Sequence, residues 1–321
     1  MRAVMVLPQL RNPNIIEVKS GCKASEITQT PACDLYQIIE NIDNYYLSFP
    51  LKKKGGGFRI ITPPNGKLKS IQYLIKSDIE KRIQLPSYLH GGISRRSILT
   101  NARAHLGKDM VVNIDIKDFF PSIKFEMVVS ALKRIGYDDN TSWFIGKLVT
   151  FNEGLPQGSP TSTLLANLVF LPIDKRFVSF CERRSLAYTR YVDDITVSGN
   201  MNLKPFKGIF LQFVQEAGFK VSVQKMKFCG RDKQQIVTGL VVNDRIRPTR
   251  EFVRRLKKDI RNAWPDALGM EMASSMLGLS VMEFYHNLWG RISFTKSIDC
   301  KLGRNIRALL TKVDWATTSP V

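Results

Sequence analysis

Apolar and polar positions alternate most strictly in MVVNIDIKDFFPSI, residues 110–123. Val112, Ile114 and Ile116 fall on one face of an extended chain, and Asn113 and Asp115 fall on the other. The spacing predicts a strand that Pro121 stops, because proline cannot donate to a sheet ladder. A second β-prone stretch, LAYTRYVDDITVSG at residues 186–199, centres on Asp193 and Asp194. It predicts a β-hairpin with two acids at its tip. Elsewhere the spacing is helical. Leu35, Ile38, Ile39 and Ile42 form one apolar stripe; Leu68, Ile71, Leu74, Ile75 and Ile79 form another. Phe206, Ile209, Phe210 and Phe213 predict a helix under the sheet, with its rings in the core. LLANLVFLPI, residues 164–173, predicts a buried helix. Phe252, Leu256 and Ile260 predict a helix whose other positions are crowded with Arg250, Arg254, Arg255, Lys257, Lys258 and Arg261. In KKKGGGFRIITPP, residues 52–64, Gly55 to Gly57 read as a hairpin turn or mobile tip. Residues 1–22 show no clear period and are expected to be poorly ordered.

Composition narrows the function. The 321 residues are 44% hydrophobic, enough for a large core, and the length suggests about two domains. Lys and Arg number 48 against 28 Asp and Glu, a net charge of +20. That excess implies a polyanionic partner, since phosphate binding gains from counterion release. A membrane is not expected to be that partner. No run approaches the ~20 apolar residues of a span, and Pro8 breaks the opening MRAVMVLPQLRNP too early for a signal peptide. Cys22, Cys33, Cys181, Cys229 and Cys300 are scattered and form no CxxC pair. Neither a disulfide framework nor a zinc knuckle is predicted; reduced thiols in a cytoplasm fit better.

The acids carry the candidate chemistry. Adjacent carboxylates repel unless a positive charge lies between them. Taken alone, Tyr191-Val192-Asp193-Asp194 reads more simply as a solvated acidic turn. Asp115, on the polar face of its strand, adds a third carboxylate across a plausible sheet. Three carboxylates can hold two Mg²⁺ roughly 3.5–4 Å apart for in-line phosphoryl transfer, and Mg²⁺ takes hard oxygen ligands beside substrate phosphates. Asp118 lies an odd number of positions from Asp115 and faces elsewhere; it is expected to cap the turn or the next helix.

These blocks together resemble the reverse transcriptase family, over about residues 50–295. IDIKDFF resembles the first catalytic motif, LPQGSPTSTLLANL (residues 155–168) the second and YVDD the third. TNARAHLG (residues 100–107) carries an NAxxH pattern, IVTGLVV (residues 236–242) a VTG pattern, and LWGRISF (residues 288–294) a thumb-like segment. That set is similar to bacterial retron reverse transcriptases. The resemblance implies an α+β right-hand polymerase with an antiparallel palm sheet and a helical thumb. It divides the chain into an N-terminal segment (1–22), the N-terminal part of the fingers (23–108), the palm with the rest of the fingers (109–235) and an RNA-binding thumb (236–321). Asp115, Asp193 and Asp194, with the backbone carbonyl of Ile116, are implied as ligands of two Mg²⁺. Gln157 and Gly158 would line the template and nucleotide pocket, and Lys225 and Arg59 would meet the triphosphate, with Lys53 and Lys54 as helpers. Phe120 would sit beneath the sugar and select deoxynucleotides. Asn101, His105, Val237, Thr238, Gly239, Arg254, Arg255 and Lys258 are assigned to RNA, with bracing of fingers against palm as the other reading of His105.

The resemblance also implies partners: a structured noncoding RNA of the msr-msd type, dNTPs, and a branched msDNA product primed from an internal guanosine 2′-hydroxyl. A separate effector protein and a role in antiphage defence are implied with them. The alternatives are a group II intron-like or other bacterial reverse transcriptase, an RNA-dependent RNA polymerase, which Phe120 disfavours, and a non-catalytic RNA-binding protein that kept the fold.

Overall fold

The computed structural model describes residues 23–53 and 56–313. The expected N-terminal segment 1–22, Lys54, Gly55 and residues 314–321 of the expected thumb lie outside the described residues. The chain begins with α1 (Lys23–Thr28), α2 (Ala32–Glu40), β1 (Phe49–Lys52), β2 (Phe58–Ile61), α3 (Gly66–Arg82) and α4 (Ile98–Arg103). It continues through β3 (Met110–Lys117), α5 (Phe119–Ser122), α6 (Phe125–Arg134), α7 (Asp139–Val149), α8 (Ser162–Glu182), β4 (Ala187–Tyr191), β5 (Asp194–Gly199) and α9 (Lys207–Gln215). The last elements are β6 (Lys220–Val221), β7 (Lys227–Gly230), β8 (Ile236–Val237), β9 (Leu240–Val241), β10 (Arg247–Pro248), α10 (Arg250–Asn262), α11 (Gly269–Ser275), α12 (Val281–Ile298) and α13 (Cys300–Arg307).

One compact unit comprises residues up to Leu85 together with Asp118–Phe170. Its core is the predicted stripes: Leu35 and Ile38 of α2, and Leu68, Ile75 and Ile79 of α3, are fully buried with Ile145 and Leu148 of α7. A polar residue, Gln72, is buried among them and fully used. Its amide donates to the Tyr46 hydroxyl and the Leu148 carbonyl, both at 2.8 Å, and accepts from the Ser159 hydroxyl at 2.6 Å. Satisfying the amide removes the desolvation cost of burying it and ties α3 to the loop that precedes α8. Strands β1 and β2 pair antiparallel, Leu51 opposite Arg59 and Lys52 opposite Phe58. Gly56 and Gly57 both take positive φ at the turn, the predicted hairpin tip.

The second unit comprises Pro86–Lys117 and the chain from Leu171 onward. Its antiparallel sheet has the order β4-β5-β3-β6, with β7 also pairing β3. Along β3 the alternation holds: Val112, Ile114 and Ile116 are buried, Asn113 and Asp115 only partly. Phe210 is fully buried, stacked on Phe177 at 5.9 Å between ring centres, with Phe213 edge-on to Phe177 and Phe206 edge-on to Phe180. Of the rings expected in the core, Phe210 is buried, and Phe206 and Phe213 are half-buried at its margin. A helical subdomain follows. Leu256 and Ile260 of α10 pack with Phe284, Leu288 and Ile292 of α12 and Ile306 of α13. Thr249 starts α10 by accepting the Phe252 amide, and Ser280 starts α12 through a reciprocal capping box with Glu283.

Candidate active site and nucleic-acid interface

In the second unit, β3 and β5 place Asp115 directly opposite Asp194 at the end of their ladder. Tyr191 pairs with Asp194 across the β4–β5 hairpin, leaving Val192 and Asp193 as a two-residue turn. Val192 stands at φ 58°, strained backbone for a β-branched residue. The Ile116 amide donates to the Asp193 carbonyl at 3.2 Å, tying the turn to the central strand. Desolvation of the carboxyl first, then the charges of Asp193 and Asp115, push Asp194 up to about 7, with Lys225 opposing, although the residue stays exposed at the start of its strand. Between β6 and β7 the chain leaves the ladder in a single 3₁₀ turn, Val223–Lys225. That excursion sets the Lys225 ammonium 3.0 Å from Oδ2 of Asp115. The Ser222 amide donates to the Asp115 carbonyl at 2.8 Å. Among the described residues no group of three or more acidic, His or Cys side chains is drawn into a ligand shell. The three carboxylates are therefore neighbours and not a finished cage, one oxygen of Asp115 being engaged by Lys225.

The first unit holds Arg59, Phe120 and Gln157. Arg59 is exposed on β2. Just beyond β2, the Thr62 amide donates to the Gln157 carbonyl at 2.6 Å. Gly158 follows at φ 107°, where a Cβ would lie 3.1 Å from Ile61, so a side chain there would be both strained and crowded. The side-chain oxygen of Gln157 is buried without a hydrogen-bond partner. Of the two phenylalanines after β3, Phe119 is the core residue, edge-on to Phe170 at 5.7 Å. Phe120 is only half-buried. Asp118 occupies the N-cap position of α5 at φ 47°, but its side chain makes no cap bond; only its carbonyl accepts, from the Ser122 amide at 3.0 Å.

The NAxxH and VTG residues need a correction. Asn101, His105 and Val237 are fully buried, so their side chains present nothing to RNA in this structure. The His105 ring bridges the hydroxyls of Thr189 on β4 and Ser198 on β5, each at 2.7 Å. Burial depresses its pKa to about 3, so the ring is a neutral brace. Thr238 and Gly239, both at positive φ, form the two-residue turn between β8 and β9. The Asn101 amide donates to the Thr238 hydroxyl at 3.3 Å, and that hydroxyl donates to the Ile98 carbonyl at 3.3 Å. Ala102, Val111, Val237, Leu240 and Val242 seal the joint. The two patterns are halves of one internal contact; of the five residues only Gly239 is exposed.

A dense group of cations lies instead along α10, the segment before it and the start of α13. An open groove of about 780 Å³ is lined by Arg245, Arg247, Arg250, Arg254, Lys257, Lys258, Arg261 and Lys301, with Asp299 the lone acid. Arg254 and Lys258 thus join a larger basic surface. Arg255 does not line it and instead pairs with Glu251 one turn away. Sequence reasoning missed Arg245, Arg247 and Lys301, which lie outside the helix that carried the periodic signal.

It also missed a buried ion pair. Arg190 and Asp174 are both fully buried, with Nε and Nη2 of the guanidinium 2.8 and 2.7 Å from the two carboxylate oxygens. Tyr188 donates its hydroxyl to the same carboxylate at 2.5 Å. Nη1 of Arg190 reaches the Val192 carbonyl at 2.9 Å. Removing one partner would leave a buried charge unpaired, at a cost of roughly 3–5 kcal/mol. The signal was present: an aspartate inside the apolar run LLANLVFLPIDKRF and an arginine inside a strand. Among the described residues, no helix is long and apolar enough to cross a membrane.

A family model described as reverse transcriptase (RNA-dependent DNA polymerase) matches residues 51–247. The Retron Mx162 reverse transcriptase of Myxococcus xanthus is 33% identical over 84% of this chain and 61% of that protein. The Retron Ec86 and Ec73 reverse transcriptases of Escherichia coli are 28% and 31% identical, over 93% and 82% of their own lengths. The chain thus spans less than two thirds of the Myxococcus relative but most of the two others. It belongs to the reverse transcriptase family, among the retron reverse transcriptases. The antiparallel β3–β7 sheet and the helices α10–α13 give the mixed architecture of the right-hand polymerase fold.

Proposed function

We propose that this chain is an RNA-directed DNA polymerase that copies part of a structured noncoding RNA from dNTPs. The observation that carries this reading is the register of β3, β4 and β5, which sets Asp115 against Asp194 with Asp193 in the adjoining turn. The donor set suits a hard divalent cation: three carboxylates, one of them raised to about 7 by burial and by its neighbours. Asp115, Asp193 and Asp194, with the carbonyl of Ile116, would hold two Mg²⁺. When bound, such a pair activates a primer hydroxyl and neutralises the leaving phosphate. Asp115 must first exchange its Lys225 contact, which leaves that ammonium free to meet the triphosphate. Arg59 has the exposure a triphosphate ligand needs. The half-buried ring of Phe120 is assigned to the sugar, where a 2′-hydroxyl would meet it. Gln157, with a buried oxygen awaiting a donor, is assigned to the nucleotide and template.

The basic thumb groove, with Arg254 and Lys258, is assigned to the phosphate backbone of the cognate RNA. The retron relatives support the finer reading: an msr-msd type RNA, priming from an internal guanosine 2′-hydroxyl, a branched msDNA product, and work with a separate effector protein in antiphage defence. Unpaired Cys33, Cys181, Cys229 and Cys300 fit the cytoplasm.

The test is expression with native flanking DNA, beside an Asp193→Asn, Asp194→Asn double variant. A copurifying short DNA whose mobility changes with RNase, absent from the variant, is the expected result. RNA without DNA in both samples, and no extension of an annealed DNA primer on RNA, would reduce the chain to an RNA binder.

A further inference from the structure

The third acidic motif turns on one residue. Val192 is β-branched, holds φ 58°, and links Tyr191 to Asp193. Left to itself, such a turn would relax, because β-branched side chains avoid positive φ. Two contacts hold it, and the second is itself anchored. Arg190 donates from Nη1 to the Val192 carbonyl at 2.9 Å. Gly91 packs so closely that a Cβ there would lie 2.4 Å from Val192 Cγ2 and 2.6 Å from the Val192 amide nitrogen. The segment bearing Gly91 is itself laced to β4, the His90 amide donating to the Arg190 carbonyl and the Arg190 amide to the Tyr88 carbonyl, both at 2.9 Å.

Arg190 could not serve the turn alone. A buried guanidinium needs a counter-charge, and Asp174 on α8 supplies it with both oxygens, one of which also accepts from Tyr188. The planar fork is thereby locked, and its remaining nitrogen points at the one carbonyl that precedes Asp193. A lysine could offer its single nitrogen to the carboxylate or to the carbonyl, but it lacks the fork that serves both.

We propose that Arg190, oriented by Asp174, is a positioning residue that fixes the strained Val192 turn and so aims the Asp193 and Asp194 carboxylates. The inference rests on reading those two acids as the metal-holding pair. It assigns a role in the reaction to a side chain that touches neither substrate nor metal. It also gives a reason for a buried ion pair at this place, where an apolar pair of like volume would pack as well.

The test uses the full chain. Asp174→Leu with Arg190→Met removes both charges together and keeps the volume. Arg190→Lys keeps the charge but loses the fork. Circular dichroism and thermal unfolding report the fold, filter binding the RNA affinity, Mn²⁺ titration by EPR the cation affinity without nucleic acid, and single-turnover primer extension the rate. We expect folded variants with unchanged RNA affinity. Mn²⁺ binding should weaken roughly 10–100-fold, the range seen when groups behind metal ligands are removed. Extension at saturating nucleotide should slow by a similar factor, with KM for the nucleotide within about twofold, as for an interaction expressed in the transition state.

Wild-type Mn²⁺ affinity and rate in either folded variant would overturn the proposal. Failure of both variants to fold would also reject it, leaving Arg190 a core residue only. An Asp193→Asn, Asp194→Asn control separates the two levels. If it keeps full extension, the catalytic reading of the hairpin fails. If it loses extension while the Arg190 variants do not, the positioning role alone fails.

Discussion

Replacing Asp194 with Asn should stabilise the metal-free protein, and by an amount that depends on pH. The carboxyl is held at about 7 against an ordinary 3.8, chiefly by burial and then by Asp193 and Asp115. Its folded value lies above its unfolded one. The stability tied to this group is therefore whole below pH 3.8 and is lost as pH climbs through 7. The difference is about 3 pH units at about 1.4 kcal/mol each, a ceiling of about 4 kcal/mol, which solvent at the exposed start of β5 screens to about 1–2 kcal/mol above pH 7. Asn keeps the shape and cannot ionise, so it avoids that loss. Thermal unfolding of wild type and Asp194→Asn in EDTA, from pH 4 to 9, reads it directly. The two curves should nearly meet at pH 4 and diverge above pH 6, the variant melting several degrees higher at pH 8, since each kcal/mol moves a domain of this size by a few degrees. Excess Mg²⁺ should close the gap by stabilising the wild type alone. Curves that stay parallel across the range would refute the reasoning, because they would mean that Asp194 is not strained by its neighbours.

Three other outcomes follow from the same geometry. His105, depressed to about 3 by burial, contributes stability that is whole above pH 6.5 and lost as pH falls towards 3, so urea midpoints of wild type and His105→Gln should converge on acidification. Phe120→Ala should raise ribonucleotide incorporation at least several-fold in primer extension; no change would remove its role beneath the sugar. Charge reversal at Arg247 or Lys301 should weaken RNA binding and lower the slope of log affinity against log salt by about one for each phosphate no longer neutralised, whereas Arg255→Glu, outside the groove, should leave that slope unchanged.

Much of the site could be read in the sequence because it obeys short periods. The alternation along residues 110–117 placed Asp115 on the polar face, and the paired β-prone runs around Asp193 and Asp194 marked the hairpin. Periodicity says nothing about partners far along the chain, and there the reading ran out. Asn101 and His105 are polar residues in a polar-looking segment, yet both are buried, because Thr238, Thr189 and Ser198 arrive from 137, 84 and 93 residues away to satisfy them. Arg190 and Asp174 each stood out in an apolar stretch, but nothing local joined them: each is costly alone, and only their pairing makes burial tolerable. The basic groove extends past α10 because Arg245 and Arg247 reach it from the short segment before that helix and Lys301 from α13, a separate helix later in the chain.

The Asn101–Thr238 contact also constrains the order in which a newly made chain can assemble. The sheet edge, the His105 brace and the hairpin acids can all form from residues up to 230, but Val237 and the Thr238 turn are translated later. Until they emerge, the Asn101 amide on α4 lacks its acceptor, and Ala102 and Val111 lack their cover. A ribosome-bound chain can thus close its β3–β5 sheet before the joint to the β8–β9 turn exists. Because the contact spans 137 residues, its loop-closure entropy is met only once the rest is in place. The β8–β9 turn therefore closes over α4 after the sheet beside it has formed.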